Sequence, residues 1–193
     1  MAWVSTSPLI KTYTLEEFWE LPEPPDHSKL ELIAGVLYMT PPPAQLHNNA
    51  ASRLNRILND YLIKRDDKGV LYVPRAGIVR GPNSWLEPDL FYVAAETEAF
   101  ADPRYAQYLS TADLVIEVIS PGSAIYDRNT KADTYAVLGV KELWLVDESL
   151  GIIEVRTSEG DRFGPSVVLE RDDYVKSTVL KGLEFRVGSV FGT

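Results

Sequence analysis

At 193 residues the chain has the length of one domain, and its 45% hydrophobic and 24% charged residues exclude a disordered or fibrous protein. It has no cysteine, which excludes disulfides, thiol nucleophiles and thiolate metal sites, fits a reducing compartment, and leaves oxygen and imidazole as metal ligands. A net charge of -9 and a pI near 4.8 exclude a basic protein that coats nucleic acid, because such binding draws on phosphate neutralisation. Met1 to Lys11 lacks a basic segment followed by an apolar one, and no apolar run approaches a membrane span, so a cytoplasmic protein without membrane contact is expected.

Thr14 and Glu17 have capping-box spacing and predict a short helix from Leu15 to about Leu21, before the prolines at 22–25. Leu30 to Met39 reads as two short strands around a tight Ala34-Gly35 turn. After Pro41 to Pro43, the residues Leu46, Ala50, Leu54, Ile57, Leu58 and Tyr61 recur at three- and four-residue steps, a helix. Val70 to Arg80, Pro88 to Val93 and Asp113 to Ser120 read as strands of a meander, rich in branched and aromatic residues. Ile125 to Leu138 returns to helical spacing and stops at Gly139, and Glu142 to Asp147 is a further strand. Gly151 to Arg156, Asp161 to Glu170 and Val179 to Val187 read as short antiparallel strands. The fold class is α/β: one domain over 1–193 with a mixed sheet flanked by helices and extra β-hairpins at both ends.

Chemistry starts at Glu117, set in Leu114-Val115-Ile116-Glu117-Val118-Ile119. Such a strand is buried on both faces, and an ionised carboxylate there costs several kcal/mol unless it is paired or binds a metal. A buried salt bridge is the ordinary reading. Asp89 opens another apolar strand, and two acids on one face of adjacent strands can grip one hard cation, with the Val118 carbonyl as a third oxygen. Glu87 shares that face if its strand begins early. Glu31, flanked by Leu30, Leu32 and Ile33, poses the same question, with an edge-strand glutamate facing solvent as the alternative. Lys131 lies four residues after Asp127, the spacing of an exposed ion pair, yet Arg128, Lys131 and Tyr135 would share a face of a helix that follows the Glu117 strand. His47 is a phosphate binder or proton carrier, or simply a helix cap. Arg53, Arg56, Lys64, Arg65, Arg75, Arg80, Arg128 and Lys131 are candidates to line an approach for a polyanion.

Pro88-Asp89 followed by Glu117-Val118-Ile119, in a helix, meander, helix, strand order, resembles the PD-(D/E)xK nuclease superfamily. Ile119 stands where that superfamily's lysine belongs. In this the chain is similar to the bacterial restriction-endonuclease-like Uma-type family, whose lysine comes from the following helix, here Lys131. Leu30 to Gly35, Met39 to Pro43 with His47, Glu87 to Leu90, Ile119 to Ser123, Asp127-Arg128, Tyr135 and Gly139 to Asp147 carry the same likeness, with a core over about 29–156. Ala34 and Asn48 depart from the family's acid and glutamine.

The resemblance implies a metal-dependent endonuclease that hydrolyses phosphodiester bonds in DNA. Asp89, Glu117 and the Val118 carbonyl would hold Mg²⁺ or Mn²⁺, Lys131 would position water, and Glu31 would assist. His47, Arg128 and Tyr135 would support them. A homodimer is expected from the family and from Trp3, Tyr13, Trp19, Tyr105 and Tyr108. The competing expectation is a non-catalytic dimeric interaction module that retains the nuclease fold. A hydrolase of small phosphate esters would instead need a deep closed pocket.

Overall fold

The computed structural model describes residues 11–99, 103–105, 107–120 and 123–192. The turn expected at Pro121-Gly122, and Trp3, lie outside these residues. Helix α1 (Leu15–Trp19) begins with the predicted capping box: Glu17 N–H donates to the Thr14 hydroxyl and Thr14 N–H to the Glu17 carboxylate. Strands β1 (Lys29–Ile33) and β2 (Val36–Thr40) pair around Ala34 and Gly35, whose φ values of 50° and 81° give the left-handed turn that matches hairpin twist.

Helix α2 (Gln45–Arg65) buries Ala50, Leu54, Leu58 and Leu62 at four-residue steps. Leu46, expected on that stripe, is exposed because the first turn borders a cleft, where His47 and Asn48 face inward, rather than the core.

The expected strand from Val70 to Arg80 is divided. Strand β3 (Val70–Tyr72) and strand β4 (Ile78–Val79) belong to different sheets. Pro74 has no N–H for a ladder and Arg75 is left-handed at φ 77°, so the chain turns between them. Strand β5 (Trp85–Leu86), too short to show an alternation, joins β4 to β1 in a sheet of order β2-β1-β5-β4.

The main sheet adds β6 (Leu90–Val93), β7 (Leu114–Ile119), β8 (Glu142–Asp147), β9 (Ile152–Thr157) and β10 (Val167–Leu169), in the order β10-β9-β8-β7-β6-β3. Its strands are antiparallel except β7 with β8, which need a crossover. That crossover is α3 (Ala124–Tyr126), a π-helical turn over Asp127–Lys131, and α4 (Ala132–Val137), closed at Gly139 with φ 84°. The sequence predicted one uninterrupted helix there.

Strands β11 (Tyr174–Lys176) and β12 (Glu184–Arg186) form a hairpin, followed by α5 (Gly188–Phe191). The strand expected from Val179 starts later, because Thr178 and Val179 donate their N–H groups to the buried Glu142 carboxylate instead of to a ladder.

One face of the main sheet packs Leu90, Leu114, Ile116 and Trp144 against α2 and the C-terminal hairpin. The other packs Phe91, Val115, Ile119, Leu143 and Leu145 against α4 and the small sheet. Alternation along β7 therefore decides which layer each side chain meets. Among the described residues no helix is long and apolar enough to cross a membrane.

Candidate active site

Glu117 lies between Val115 and Ile119 on the α4 face of β7 and is 2% exposed. The β6–β7 ladder pairs Leu90 with Ile116, so one further step along the register places Asp89 across from Glu117 on the same face. The ladder is open there, because β6 begins only at Leu90 after Pro88. Val118 N–H donates to Asp89 Oδ2 at 2.8 Å in place of a backbone acceptor. A strand residue's C=O leaves on the same edge as its N–H, so the Val118 carbonyl is directed toward Asp89.

From the first turn of α2, His47 Nε2 lies 3.0 Å from the same Asp89 oxygen. Burial pushes the Asp89 carboxyl up, but the His47 hydrogen bond and the charges of Lys29, His47 and Lys131 outweigh it and hold the group below its ordinary value. For His47, burial lowers the pKa and Asp89 more than restores it, leaving it raised.

Lys131 is 1% exposed, so it is no surface ion-pair partner. Its Nζ lies 2.5 Å from Glu117 Oε1, 3.1 Å from Glu31 Oε2 and 3.8 Å from Asp127 Oδ1. Burial alone would lower its pKa; Glu117 and Glu31 reverse this and hold it well above the ordinary lysine value. The Tyr135 hydroxyl donates to Glu117 Oε1 at 2.5 Å. Burial pushes the Glu117 carboxyl up to about 7, helped by Asp89 and Asp127 and opposed by Lys131 and Lys29.

Glu31 does not face solvent. Its Oε1 accepts the Glu87 N–H at 2.9 Å, and its contact with Lys131 is an ion pair without hydrogen-bond alignment. Lys29, two residues earlier on the same strand face, donates to the Glu87 carbonyl at 2.8 Å and lies 3.9 Å from Glu31.

Arg128 is the predicted residue that the structure does not bring to this cluster. It donates to Glu154 Oε1 at 2.6 Å and Asp147 Oδ2 at 2.8 Å, across β8 and β9. The cause is the π-turn: its wider spacing breaks the common face expected for 128, 131 and 135. Asp127, whose spacing from Lys131 would also suit an exposed ion pair, is buried and borders the cleft. Lys29 joins the cluster unexpectedly: its period-two spacing puts it on the strand face of Glu31, but nothing local marks that face as the cleft side.

Asp89, Glu117, Val118, Asp127 and Lys131 form the floor of a cleft of about 390 Å³, walled by Pro41 to Pro43, His47, Pro74 and Arg75, while Glu31 and Tyr135 contact Lys131 and Glu117 without lining it. Of the cations expected to line an approach, only Arg75 and Lys131 border it, joined by Lys29. Arg53, Arg65 and Arg80 donate to the carbonyls of Val190, Lys181 and Val137.

The donor set suits a hard divalent cation: two carboxylates and a carbonyl, all oxygen, in a cleft where acids outnumber cations. Among the described residues no group of three or more His, Asp or Glu side chains is placed to hold a metal ion. Water or substrate oxygens would have to complete the shell, as Mg²⁺ usually requires.

No curated protein matches the chain in sequence. A crystal structure of a protein from Anabaena variabilis ATCC 29413, described as "a putative nuclease belonging to DUF820", superposes with a TM-score of 0.74 at 20% identity, covering 93% of this chain and 97% of that one. At that identity the likeness shows a shared fold, a mixed sheet flanked by helices. A family model described as "Uma2: Putative restriction endonuclease" matches residues 15–188, which contain every element of the cleft floor. The chain belongs to that Uma2 family.

Proposed function

We propose that the protein is a divalent-metal-dependent nuclease that hydrolyses phosphodiester bonds in DNA. The observation that carries this reading is the buried set of Asp89, Glu117 and Lys131 at the floor of one cleft, with Glu31 against Lys131.

Asp89, Glu117 and the Val118 carbonyl would hold Mg²⁺ or Mn²⁺. When bound, the ion supplies Lewis-acid stabilisation of the charge that develops on the phosphoryl oxygens. An ammonium group has three N–H donors, and the carboxylate oxygen nearest to Lys131 Nζ is Glu117 Oε1; because the Glu31 contact lacks hydrogen-bond alignment, the remaining donors can orient a water or a phosphate oxygen. Because Lys131 keeps its proton, it acts as a donor and a charge, not as a base. Tyr135 fixes the Glu117 oxygen that Lys131 touches, and His47 fixes the Asp89 carboxylate. Helix α2 opens on the cleft with no side-chain cap at Ala44 and no acid in its first turn, which favours an approaching phosphate.

Incubation of purified protein with supercoiled, linear and single-stranded DNA across Mg²⁺ and Mn²⁺ tests the reading. Cleavage that EDTA abolishes supports it; no cleavage in any metal leaves the non-catalytic module. A homodimer is a separate proposal. The aromatic residues that suggested it largely pack on one another: Trp19 has ring centroids 6.1 Å from Tyr105 and 5.3 Å from Tyr108. Trp19 stays 40% exposed, and light scattering at micromolar concentration decides the matter.

A further inference from the structure

We infer that the substrate strand reaches the carboxylates unpaired: a single-stranded or locally melted segment places one phosphodiester in the cleft, while an intact duplex is held outside. This rests on the nuclease reading of the same site and adds the form of the substrate.

The first ground is depth. Asp89 is 9% exposed, Glu117 2% and Lys131 1%, so a scissile phosphate must descend between the walls to meet them. A cleft of about 390 Å³ is the size of a small-molecule pocket and takes on the order of one nucleotide. A duplex carries its phosphates on a broad, stiff cylinder that cannot follow one of them inward. Extruding a nucleotide costs stacking and pairing energy, least where the strand is already single.

The second ground is charge. Duplex-binding proteins commonly neutralise about six to ten phosphates. Here the lysines and arginines lining the cleft are Lys29, Arg75 and the buried Lys131, in a chain of net charge -9. Arg53, Arg65 and Arg80 hydrogen-bond backbone carbonyls elsewhere on the molecule and do not line the cleft. That footprint fits a few phosphates of a flexible strand. The walls supply the remaining contact: Pro41 to Pro43 and Pro74 present apolar faces suited to sugar and base.

The third ground is local backbone conformation. His27 and Arg75 are two of four described non-glycine residues with positive φ, at 61° and 77°, and both border the cleft. Residues held so collect at functional sites. The Arg75 side chain is 68% exposed, and its ion pair with Glu87 is loose at 3.9 Å. It is placed to meet a phosphate at the entrance.

The test uses a fluorescein-labelled DNA 30-mer as single strand, perfect duplex, and duplex with an internal unpaired bulge, with wild-type protein in Mn²⁺. The expected result is cutting of the single strand, cutting of the bulged duplex at its bulge, and a rate at least about 100-fold lower on the perfect duplex. A perfect duplex cut as fast as the single strand overturns the inference and leaves the nuclease reading standing. If nothing is cut, the nuclease reading fails, and fluorescence anisotropy in Mn²⁺ decides this one. Single strand bound at least about tenfold more tightly than duplex supports it, and equal or tighter duplex binding overturns it. In the same assay Arg75→Ala should reduce the salt slope for single-strand binding by about 0.7, the loss of one phosphate contact. An unchanged slope removes Arg75 from the entrance.

Discussion

Lys131 Nζ sits 2.5 Å from Glu117 Oε1, where the π-turn of the crossover passes over β7. The cation that Ile119 cannot supply from the strand itself thus arrives from the next element and reaches the same carboxylate. Lys131→Met should lower the cleavage rate by at least about 100-fold with metal affinity little changed, the scale of a lost charge-stabilising contact. Removing one member of a buried pair also costs about 3–5 kcal/mol, because Glu31 and Glu117 lose their cation. The double variant Lys131→Met with Glu117→Gln should melt higher than Lys131→Met alone. Wild-type rates in the single variant would sink the catalytic assignment.

Glu117→Gln should abolish Mn²⁺ binding and cleavage while the fold survives. The glutamine carbonyl can still accept the Tyr135 hydroxyl, and Lys131 keeps Glu31 and Asp127 nearby. One charge leaves a crowded acidic cluster, so the melting temperature should stay level or rise. Calorimetric titration with Mn²⁺ decides this, and unchanged affinity would mean that Glu117 serves only as a structural ion-pair partner.

Arg128 should behave differently from both. Its guanidinium bridges Asp147 and Glu154, so Arg128→Met should cost about 2–4 kcal/mol in chemical denaturation by leaving two largely buried carboxylates without their bridge. Mn²⁺ affinity should not change. Lysine is a poor substitute, since it lacks the planar fork that meets two acceptors at once. A loss of metal affinity in folded Arg128→Met would return this residue to the site.

Asp113 sets an acid limit on stability away from the cleft. Burial pushes its carboxyl up, but Lys141, the Ala94 N–H and the Thr97 hydroxyl outweigh it and hold the group below its ordinary value. A carboxyl lowered in the fold contributes stability above its unfolded pKa, about 3.9, and loses that contribution as pH falls through the folded value. Asp113→Asn should therefore melt lower than wild type at pH 6 to 7, and the difference should shrink toward pH 3. A difference that is constant with pH would contradict the assignment.

The sequence already displayed the elements whose signals are local. The Thr14 and Glu17 capping box, the Ala34-Gly35 turn and the apolar run around Glu117 are each written within a few residues, and each formed. The break in Val70 to Arg80 is marked locally by Pro74, but which sheet each half joins depends on pairing with β6 and β5. The π-turn escaped for a related reason: Ile125 to Leu138 keeps helical periodicity on both sides of a one-residue irregularity. Asp89 and Glu117 could be named as a pair because strand alternation is strict. The placements of Asp127 and Lys29 needed the third dimension.

That π-turn also acts as a phase register between the two halves of the crossover. In a regular α-helix each residue advances the side-chain direction by roughly 100°. In a π-turn five residues advance about as far around the axis as four do in a regular α-helix, so the extra residue is absorbed there and α4 keeps its phase relative to α3. Without that absorption the extra residue would rotate α4 by roughly 100°, swinging Tyr135 off Glu117 and Ala132 off the sheet face it covers. The irregularity is thus the setting that lets one short helix turn Lys131 and Tyr135 toward the carboxylates and Arg128 toward β8 and β9.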